Sequence, residues 1–334
     1  MQVVGKPTPR VEGELKVTGK AQYSADLKLP NMLWGRCLRS PISSGRIKSI
    51  DISKALQAPG VRAVITGTDV PGLRIGRCIY DTPVVADGVV RFIGEKVAAV
   101  AAQTKLAAEQ ALDLIEVEYD ELEPLLDPLE AVKPGAPILH PDLLSYRGLP
   151  VPVEKLSNVF SYLKWGKGDI EAGFKEADLI YENTYTTQVT HQSYLEPHAC
   201  VVKADPSGGA EVWSCSKTPF AVRTQLSNCI GVAKEKLVFH PMHIGGDFGG
   251  KGGFMDVPAA YFLSLKSGQP VKMIMDYTEE LTAGNPRHAS IIKIKTGVKK
   301  NGAIVAHHLD FTFDSGAYGS MKPAGYLIGA STCA

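Results

Sequence analysis

A cluster of glycines in the second half of the chain restricts the backbone more than any other feature. Residues 245–253 read Gly-Gly-Asp-Phe-Gly-Gly-Lys-Gly-Gly and so contain six glycines in nine positions. Glycine loses more backbone entropy on folding than any other residue, so such a cluster needs an offsetting gain. The usual gain is close approach of bare backbone N–H groups to an anion. The cluster therefore predicts a cofactor or anion cradle, with a purely structural glycine turn as the alternative.

Predicted regular elements flank this glycine loop, which we define as residues 244–253. Residues 236–240 have the apolar pattern of a strand, and residues 255–266 have that of a helix. A strand–loop–helix order places the partial positive charge of a helix N-terminus beside the loop. The flanks therefore favour the binding of an anionic group.

The loop satisfies the phosphate-loop pattern of nucleotide-binding proteins only in part. Gly245 and Gly250 are separated by four residues and Lys251 follows, but Gly252 stands where the pattern requires Ser or Thr to hold magnesium. No glycine triplet in the chain has the spacing of the dinucleotide-binding fingerprint. A nucleotide-binding protein is therefore the weaker alternative.

Another family matches both the loop and most of the rest of the chain. Residues 245–251 resemble a GGGFGGK loop, with Asp247 in place of the third glycine. That loop belongs to the molybdenum-binding subunit of the xanthine dehydrogenase, aldehyde oxidase and carbon monoxide dehydrogenase-like molybdenum hydroxylases, where it contacts the molybdopterin cofactor. Residues 16–26 resemble the N-terminal KVTGxAxYxxD signature of that family. Further resemblances follow in family order at residues 29–30, 39–41, 59–61, 69–72, 94–100, 191–197 and 314–318.

The resemblance implies an α+β protein with two domains and a linker. An N-terminal α/β-hammerhead-like domain is expected at residues 1–130, and the first part of a molybdopterin-binding α+β domain at residues 159–334. Prolines concentrate between them, so residues 131–158 are expected to be a linker that contains Pro134, Pro137, Pro141, Pro150 and Pro152.

Apolar periodicity and turn residues predict the regular elements of both domains. Helices are expected at 105–115 and 219–230, with a further short helix capped by Asp169. A hairpin of strands at 291–298 and 304–313 is expected to turn at residues 300–302. The remaining predicted strands lie at 32–39, 47–52, 61–66, 97–102, 116–119, 179–187 and 210–214.

The resemblance also implies which residues form the site. It places the cofactor against the loop, at Gly245, Gly246, Asp247, Phe248, Gly249, Gly250 and Lys251. Phe248 is expected to wall the substrate pocket, and its alternative role is an ordinary core anchor for a flexible loop. In this family molybdenum is held by the pterin dithiolene and not by side chains, so no metal-ligating residue is expected. His191, His198, His240 and His243 are accordingly interpreted as core or surface histidines.

Two further residues are candidates for catalysis. Lys217 stands where many members carry a glutamine that hydrogen-bonds an oxo ligand of molybdenum, and the alternatives are an anion clamp for substrate or pterin and a solvated surface lysine. Glu196 precedes the rigid Pro197 in a segment that the family keeps near the active-site funnel, and the alternative is a solvated or structurally paired carboxylate. Asp247 is a departure that adds a negative charge beside an anionic cofactor, so we expect it to point away or to pair with a cation.

The implied reaction is hydroxylation of an aldehyde, an N-heterocycle or a related electron-poor carbon, with water as the oxygen source. The chain has no closely spaced cluster cysteines and no flavin fingerprint, so electrons are expected to pass to partner subunits that carry 2Fe–2S clusters and FAD. The family's glutamate base and its GAxRGxG motif are not found among the 334 residues. We therefore expect a partial molybdopterin subunit, either a natural split whose domain a second chain completes or a truncated fragment, and we expect this chain to be inactive alone. A catalytically inactive scaffold is the blander alternative.

Composition limits the partners and the compartment. The net charge of +1 and the lack of a basic cluster argue against nucleic-acid binding. The sequence has no apolar run long enough for a membrane span and no apolar signal-peptide core at its N-terminus. Six scattered cysteines favour reduced, buried thiols over a disulfide framework or a zinc site. A cytoplasmic location is therefore expected.

Overall fold

The structure is a computed structural model that describes residues 4–149 and 155–320. Within those ranges helices and strands alternate in the mixed order of an α+β protein, which confirms the predicted fold class. The strands β1 to β15 are, in order, Leu33–Arg39, Gly45–Asp51, Val61–Thr66, Arg74–Ile75, Thr82–Pro83, Val89–Val90, Lys96–Ala102, Glu116–Glu121, Leu179–Thr187, Ala199–Ala204, Ala210–Ser214, Leu237–Pro241, Val271–Ile274, Ser290–Val298 and Ile304–Phe313. The helices α1 to α8 are Gly13–Val17, Ser53–Gln57, Lys105–Leu112, Pro128–Ala131, Ile170–Glu176, Pro219–Ile230, Val257–Ser267 and Tyr277–Ala283.

A seven-stranded sheet in the order β12-β11-β10-β13-β1-β7-β3 forms the centre of the described structure. Strands β1, β3 and β7 come from the first 102 residues, and the other four come from residues 199–274. The two groups meet where β1 and β13 pair in parallel, with Leu33 opposite Val271 and Gly35 opposite Met273. The predicted division at residues 130 and 158 stays a prediction, and this sheet extends across it.

Helices cover both faces of the sheet. Along β7, Ala99 and Ala101 belong to a buried cluster that includes residues of α7, whereas Ala98, Val100 and Ala102 belong to a cluster that includes residues of α3. A strand buried on both faces reads as a continuous apolar run, which is why residues 97–102 were recognisable from the sequence. Helix α7 is therefore fixed by packing, and it fixes the end of the glycine loop that precedes it.

The sequence predictions of most long elements are confirmed to within a few residues. Strands β3, β9, β11 and β15 and helix α6 have the predicted bounds. The sequence did not reveal β10, β13 or α8. Helix α8 carried a readable signal, because Asp276 and Glu279 form a reciprocal capping box at its start. Strand β13 has only four residues, too few for periodicity to be recognised.

The predicted hairpin is confirmed as part of a second sheet of three strands, in the order β15-β14-β9. Strands β14 and β15 pair over their whole length, and Gly302 in the turn has φ +87°. Strand β9 pairs with the other edge of β14. Asp169 caps helix α5, because its side chain accepts hydrogen bonds from the N–H groups of Glu171 and Ala172 at 3.0 Å. The predicted cap is therefore also confirmed.

The described part of the linker packs against the rest of the protein. Leu143 and Tyr146 are buried with Ile79, and His140 Nε2 lies 2.7 Å from the carbonyl oxygen of Ala317. Pro150 and Pro152 lie outside the described residues. The five cysteines in the described ranges are free thiols, and Cys333 lies outside those ranges. No helix within them is long and apolar enough to span a membrane.

The junction between β1 and β13 yields the first testable prediction. A Cβ atom added to Gly35 would lie 2.7 Å from Cγ of Met273 and 2.8 Å from Cγ1 of Val271. Because both neighbours are buried, Gly35→Ala should lower the free energy of unfolding by about 1–3 kcal/mol through overpacking. Urea denaturation of the full chain measures this, with Gly166→Ala as control since its Cβ meets nothing within 4 Å. Equal effects of the two substitutions would contradict the described junction.

Candidate functional site

The glycine loop leaves the sheet at β12 and turns sharply at Phe248 and Gly249. Phe248 has φ +45°, which is uncommon for a residue with a side chain, and Gly249 has φ +98°. The ring of Phe248 is 63% exposed, whereas Gly250 and Lys251 are buried. The loop therefore presents a short tip to solvent and inserts its second half into the protein.

A buried ion pair fastens the two ends of the loop. The ammonium of Lys251 is fully buried and lies 2.5 Å from Oε2 of Glu196. The same carboxylate oxygen accepts the N–H of Gly245 at 2.6 Å. A buried ammonium is very costly unless a counter-charge satisfies it, so this contact fixes the position of Lys251 strongly. One carboxylate thus holds both Gly245 and Lys251.

Asp247 fills the inner side of the turn. Its Oδ1 accepts the N–H of Lys251 at 2.5 Å, and its Oδ2 accepts the N–H of Gly249 at 3.1 Å and the ammonium of Lys217 at 2.6 Å. Burial alone would raise the pKa of Asp247, but these hydrogen bonds, that from Lys217 foremost, lower the pKa below its ordinary value. The expectation that Asp247 pairs with a cation is confirmed.

Three consecutive N–H groups of the loop remain available to a ligand. The N–H groups of Gly245, Gly249, Gly250 and Lys251 donate within the protein. Those of Gly246, Asp247 and Phe248 have no acceptor in the described ranges. Consecutive amides around a residue with left-handed backbone form an anion-binding concavity, so the loop fits an anionic group at its tip.

Tyr194 and Glu280 form the floor beneath the loop. The Tyr194 ring lies 4.8 Å from the ammonium of Lys251, and a Cβ atom on Gly250 would lie 2.5 Å from that ring. Tyr194 donates its hydroxyl to Oε2 of Glu280 at 2.7 Å, and His198 Nδ1 lies 3.0 Å from the same carboxylate. Burial alone would raise the pKa of Glu280, but these contacts, His198 foremost, lower it. The cluster leaves no room for a side chain at position 250.

Arg287 braces the tip from outside. Its Nη2 donates to the carbonyl oxygen of Phe248 at 2.9 Å, and its backbone forms an isolated bridge with Thr190. No carboxylate within 4.0 Å of the Arg287 side chain is found in the described ranges. Sequence reasoning missed Arg287 and Glu280, which lie outside every recognised segment, and it missed Tyr194 although this residue lies within residues 191–197.

The N-terminal signature lies against the loop in space. Tyr23 forms an isolated parallel bridge with His243, and the ammonium of Lys16 lies 3.5 Å from the carbonyl oxygen of Ile244. Segments that the sequence analysis related to one family at positions 16–26, 191–197 and 245–251 are thus brought together around one loop. This convergence was not visible from their spacing in the sequence.

A cavity of about 250 Å³ lies beyond the C-terminal end of the loop. Phe254 and Met255 form one wall, and Glu95 and Tyr318 form part of another. Burial raises the pKa of Glu95 to about 7, although the hydrogen bond from Tyr318 opposes that shift. A carboxyl group with this pKa beside a cavity is typical of a functional pocket, which marks Glu95 as a further candidate that sequence reasoning missed.

The three predicted catalytic residues all contact or belong to the loop, in different ways. Phe248 stands at its exposed tip, Lys217 contacts Asp247, and Glu196 lies beneath it in the pair with Lys251. The described ranges contain no group of three or more His, Cys, Asp or Glu side chains that could hold a metal ion. His198 belongs to the Glu280 cluster, and His240 stacks on Trp213 with ring centroids 4.4 Å apart.

The predicted proximity of a helix N-terminus needs a correction. Helix α7 begins at Val257, so three residues separate it from the loop, and the buried carboxylate of Asp256 lies at its N-cap. Lys96 and Arg39 pair with that carboxylate at 3.4 Å and 3.5 Å. The helix terminus thus stands three residues beyond the loop, and the Asp256 side chain makes no cap hydrogen bond to it.

Comparisons with known proteins relate the whole chain to one group. A family model described as a molybdopterin cofactor-binding domain matches residues 152–334, and one described as the a/b hammerhead domain of aldehyde oxidase and xanthine dehydrogenase matches residues 18–123. The chain is 37% identical over 324 residues to a probable xanthine dehydrogenase subunit of Bacillus subtilis, covering 96% of this chain and 42% of that protein. It is 33% identical to the nicotinate dehydrogenase large molybdopterin subunit of Eubacterium barkeri, covering 97% of this chain and 73% of that protein.

A solved structure shows the same fold. Reconstituted CO dehydrogenase from Oligotropha carboxidovorans superposes with a TM-score of 0.83 at 30% identity, covering 93% of this chain and 40% of that chain. These matches confirm the hammerhead domain followed by a molybdopterin-binding domain that the resemblance implied. The chain spans less than half of the length of the Bacillus and Oligotropha proteins.

The buried pair yields the second testable prediction. Lys251→Met leaves the carboxylate of Glu196 without its cation, so it should lower the free energy of unfolding by about 3–5 kcal/mol. The double variant Lys251→Met/Glu196→Gln removes both charges and should recover much of that loss. Urea denaturation of the full chain is measured for wild type, Lys251→Met, Glu196→Gln and the double variant, which together form a double-mutant cycle.

Lys217→Gln is the matched control, because Lys217 pairs with Asp247 of the same loop. The Lys217 side chain is 43% exposed in that pair, so this substitution should cost only about 0.2–1 kcal/mol. A loss as small for Lys251→Met as for Lys217→Gln would contradict the described burial of Lys251.

Proposed function

We propose a function for this chain from one premise: the chain belongs to the molybdopterin-binding family of molybdenum hydroxylases. On this premise the glycine loop is the part of the described chain that contacts the cofactor. The observation that supports this role is the row of free N–H groups at Gly246, Asp247 and Phe248, on a loop whose other amides are engaged within the protein.

The loop residues divide the work of binding. The free N–H groups of Gly246, Asp247 and Phe248 donate hydrogen bonds to an anionic oxygen of the cofactor. Gly245 and Lys251 anchor the two ends of the loop, and Gly249 and Gly250 allow the turn and the close contact with Tyr194. When bound, the cofactor supplies a molybdenum centre that exchanges oxygen and electrons with the substrate. The protein places that centre and shapes the space beside it.

Phe248 is the catalytic-site residue that touches substrate in this proposal. Its exposed ring forms a wall of the substrate pocket, and Arg287 holds the backbone in the conformation that presents it. Glu196 acts as a positioning residue, because its Oε2 contacts the ammonium of Lys251 and accepts the N–H of Gly245. Lys217 acts through its contact with Asp247.

The activity is proposed for an assembled enzyme. That enzyme hydroxylates an aldehyde, an N-heterocycle or a related electron-poor carbon with oxygen from water, and passes the electrons to partner subunits with 2Fe–2S clusters and FAD. Because the chain spans 42% of the Bacillus relative, a further part of the molybdopterin domain is proposed to supply the catalytic glutamate. A cytoplasmic location and the domain boundaries 1–130, 131–158 and 159–334 complete the proposal.

The nucleotide-binding alternative conflicts with the geometry of Lys251. A phosphate-loop lysine must reach the β- and γ-phosphates of the nucleotide. The ammonium of Lys251 is fully buried against Glu196 and the Tyr194 ring, and Gly252 offers no hydroxyl for magnesium. The loop of this chain is therefore built to keep its lysine inside, which disfavours a nucleotide.

Retention of the cofactor tests the proposal. A Cβ atom on Gly246 would lie 2.8 Å from the Phe248 ring and 3.2 Å from Cβ of Tyr194, so Gly246→Ala displaces the tip of the loop. Pterin per chain, measured by fluorescence after oxidation of the complex purified from its native host, should fall about tenfold or more. Gly252→Ala is the matched control, since its Cβ has only an ordinary contact at 3.6 Å and pterin should be retained.

Two outcomes would contradict the proposed function. A wild-type complex that contains neither pterin nor molybdenum would contradict the proposal as a whole. Full retention of pterin by the Gly246→Ala variant would show that the glycine loop does not bind the cofactor. A magnesium-dependent rise in the melting temperature of the full chain with ATP would favour the nucleotide alternative instead.

A further inference from the structure

The two positions at which the loop region departs from its family contact each other. Asp247 replaces a glycine of the GGGFGGK loop, and Lys217 replaces a glutamine thirty residues earlier. The structure joins them in an ion pair of 2.6 Å, and the backbone N–H of Lys217 also donates to the carbonyl oxygen of Lys251 at 3.0 Å. The two departures from the family pattern are therefore in direct contact, although the sequence alone gives no sign of this contact.

We propose that the Lys217–Asp247 pair is a specificity determinant that favours neutral substrates: Asp247 occupies the ammonium that a substrate carboxylate would otherwise bind. This inference rests on the proposed function, because it assumes that substrate approaches beside Phe248. It does not require the cofactor for its test, since both side chains belong to this chain.

The position of the pair supports a role at the pocket and not only in folding. The side chain of Lys217 is 43% exposed, and its ammonium contacts residue 247, next to the exposed Phe248. A small molecule can therefore approach this side chain, and Asp247 is its one carboxylate partner in the described ranges. A pair with this exposure stabilises a protein only slightly, so stability alone gives little reason for it.

The charges around the tip explain the direction of the effect. Arg287 contacts the carbonyl oxygen of Phe248 and has no carboxylate partner within the described residues, so one positive charge already stands beside the tip. Removing the charge of Asp247 frees the ammonium of Lys217 and adds a second positive charge there. An acid would then be attracted by both cations, whereas a neutral molecule of the same shape would not.

Asp247→Asn is the informative variant. The asparagine oxygen can still accept the N–H of Lys251, whereas its NH2 group cannot accept the N–H of Gly249, so the charge is removed while one of the two contacts of the turn is kept. Nicotinate and nicotinamide serve as probes, because they share a pyridine ring and differ in the charge of one substituent. Each is titrated into the ¹⁵N-labelled full chain at low ionic strength, and the amide signals of Phe248 and Gly249 are followed.

The proposal predicts a selective gain. Asp247→Asn should bind nicotinate about two- to fivefold more tightly than wild type, while its affinity for nicotinamide is unchanged. The double variant Lys217→Gln/Asp247→Asn should lose the gain, and added salt should reduce it in the single variant. Amide spectra of all three proteins establish that the fold is retained.

Three results would overturn the inference: no detectable binding of nicotinate to Asp247→Asn at millimolar concentration, equal gains for both probes, or a gain that persists without Lys217. These results do not decide whether the proposed function is correct. Pterin and molybdenum in the native complex report on the function, whereas the titrations report on the pair in the chain alone.

Discussion

The contact between Lys251 and Glu196 is the interaction on which the arrangement of the site depends. The ammonium is fully buried, so its carboxylate partner is required for the loop to enter the protein at all. Glu196 precedes β10 in the central sheet, and Lys251 leads towards α7, which packs on the same sheet. The ion pair thereby ties the loop to the sheet and restricts its conformation. Without it, the glycines would allow the loop many conformations.

The sequence predicted the class of fold and the place of the site better than the roles of single side chains. Strands and helices with long apolar patterns were recognised, and the glycine loop was identified without any structural knowledge. The direction of Lys251 was not predictable, because its partner lies 55 residues away and only the folded chain places the Tyr194 ring beneath it. Arg287 was missed for the same reason, since only the folded chain brings it to Phe248. Long-range pairs of this kind leave no periodic trace.

Asp247 illustrates how one substitution changes the meaning of a motif. With glycine at position 247 the N–H groups of Gly249 and Lys251 would lack this acceptor, whereas here the Asp247 carboxylate accepts both. Only the three N–H groups at the tip of the loop stay free for a ligand. The ammonium of Lys217 compensates the negative charge that Asp247 adds. A lysine and an aspartate that each look unfavourable in isolation thus form a neutral unit.

The central claim is that hydrogen bonds within the protein fix the conformation of the loop and leave three consecutive N–H groups free for a ligand. Amide hydrogen exchange of the loop tests this claim most directly. In the full chain without ligand, exchange should be slow at the internally bonded amides, namely Gly245, Gly249, Gly250 and Lys251. It should be fast at Gly246, Asp247 and Phe248. Uniformly fast exchange along the loop, or protection of these last three amides without ligand, would contradict this description of the site.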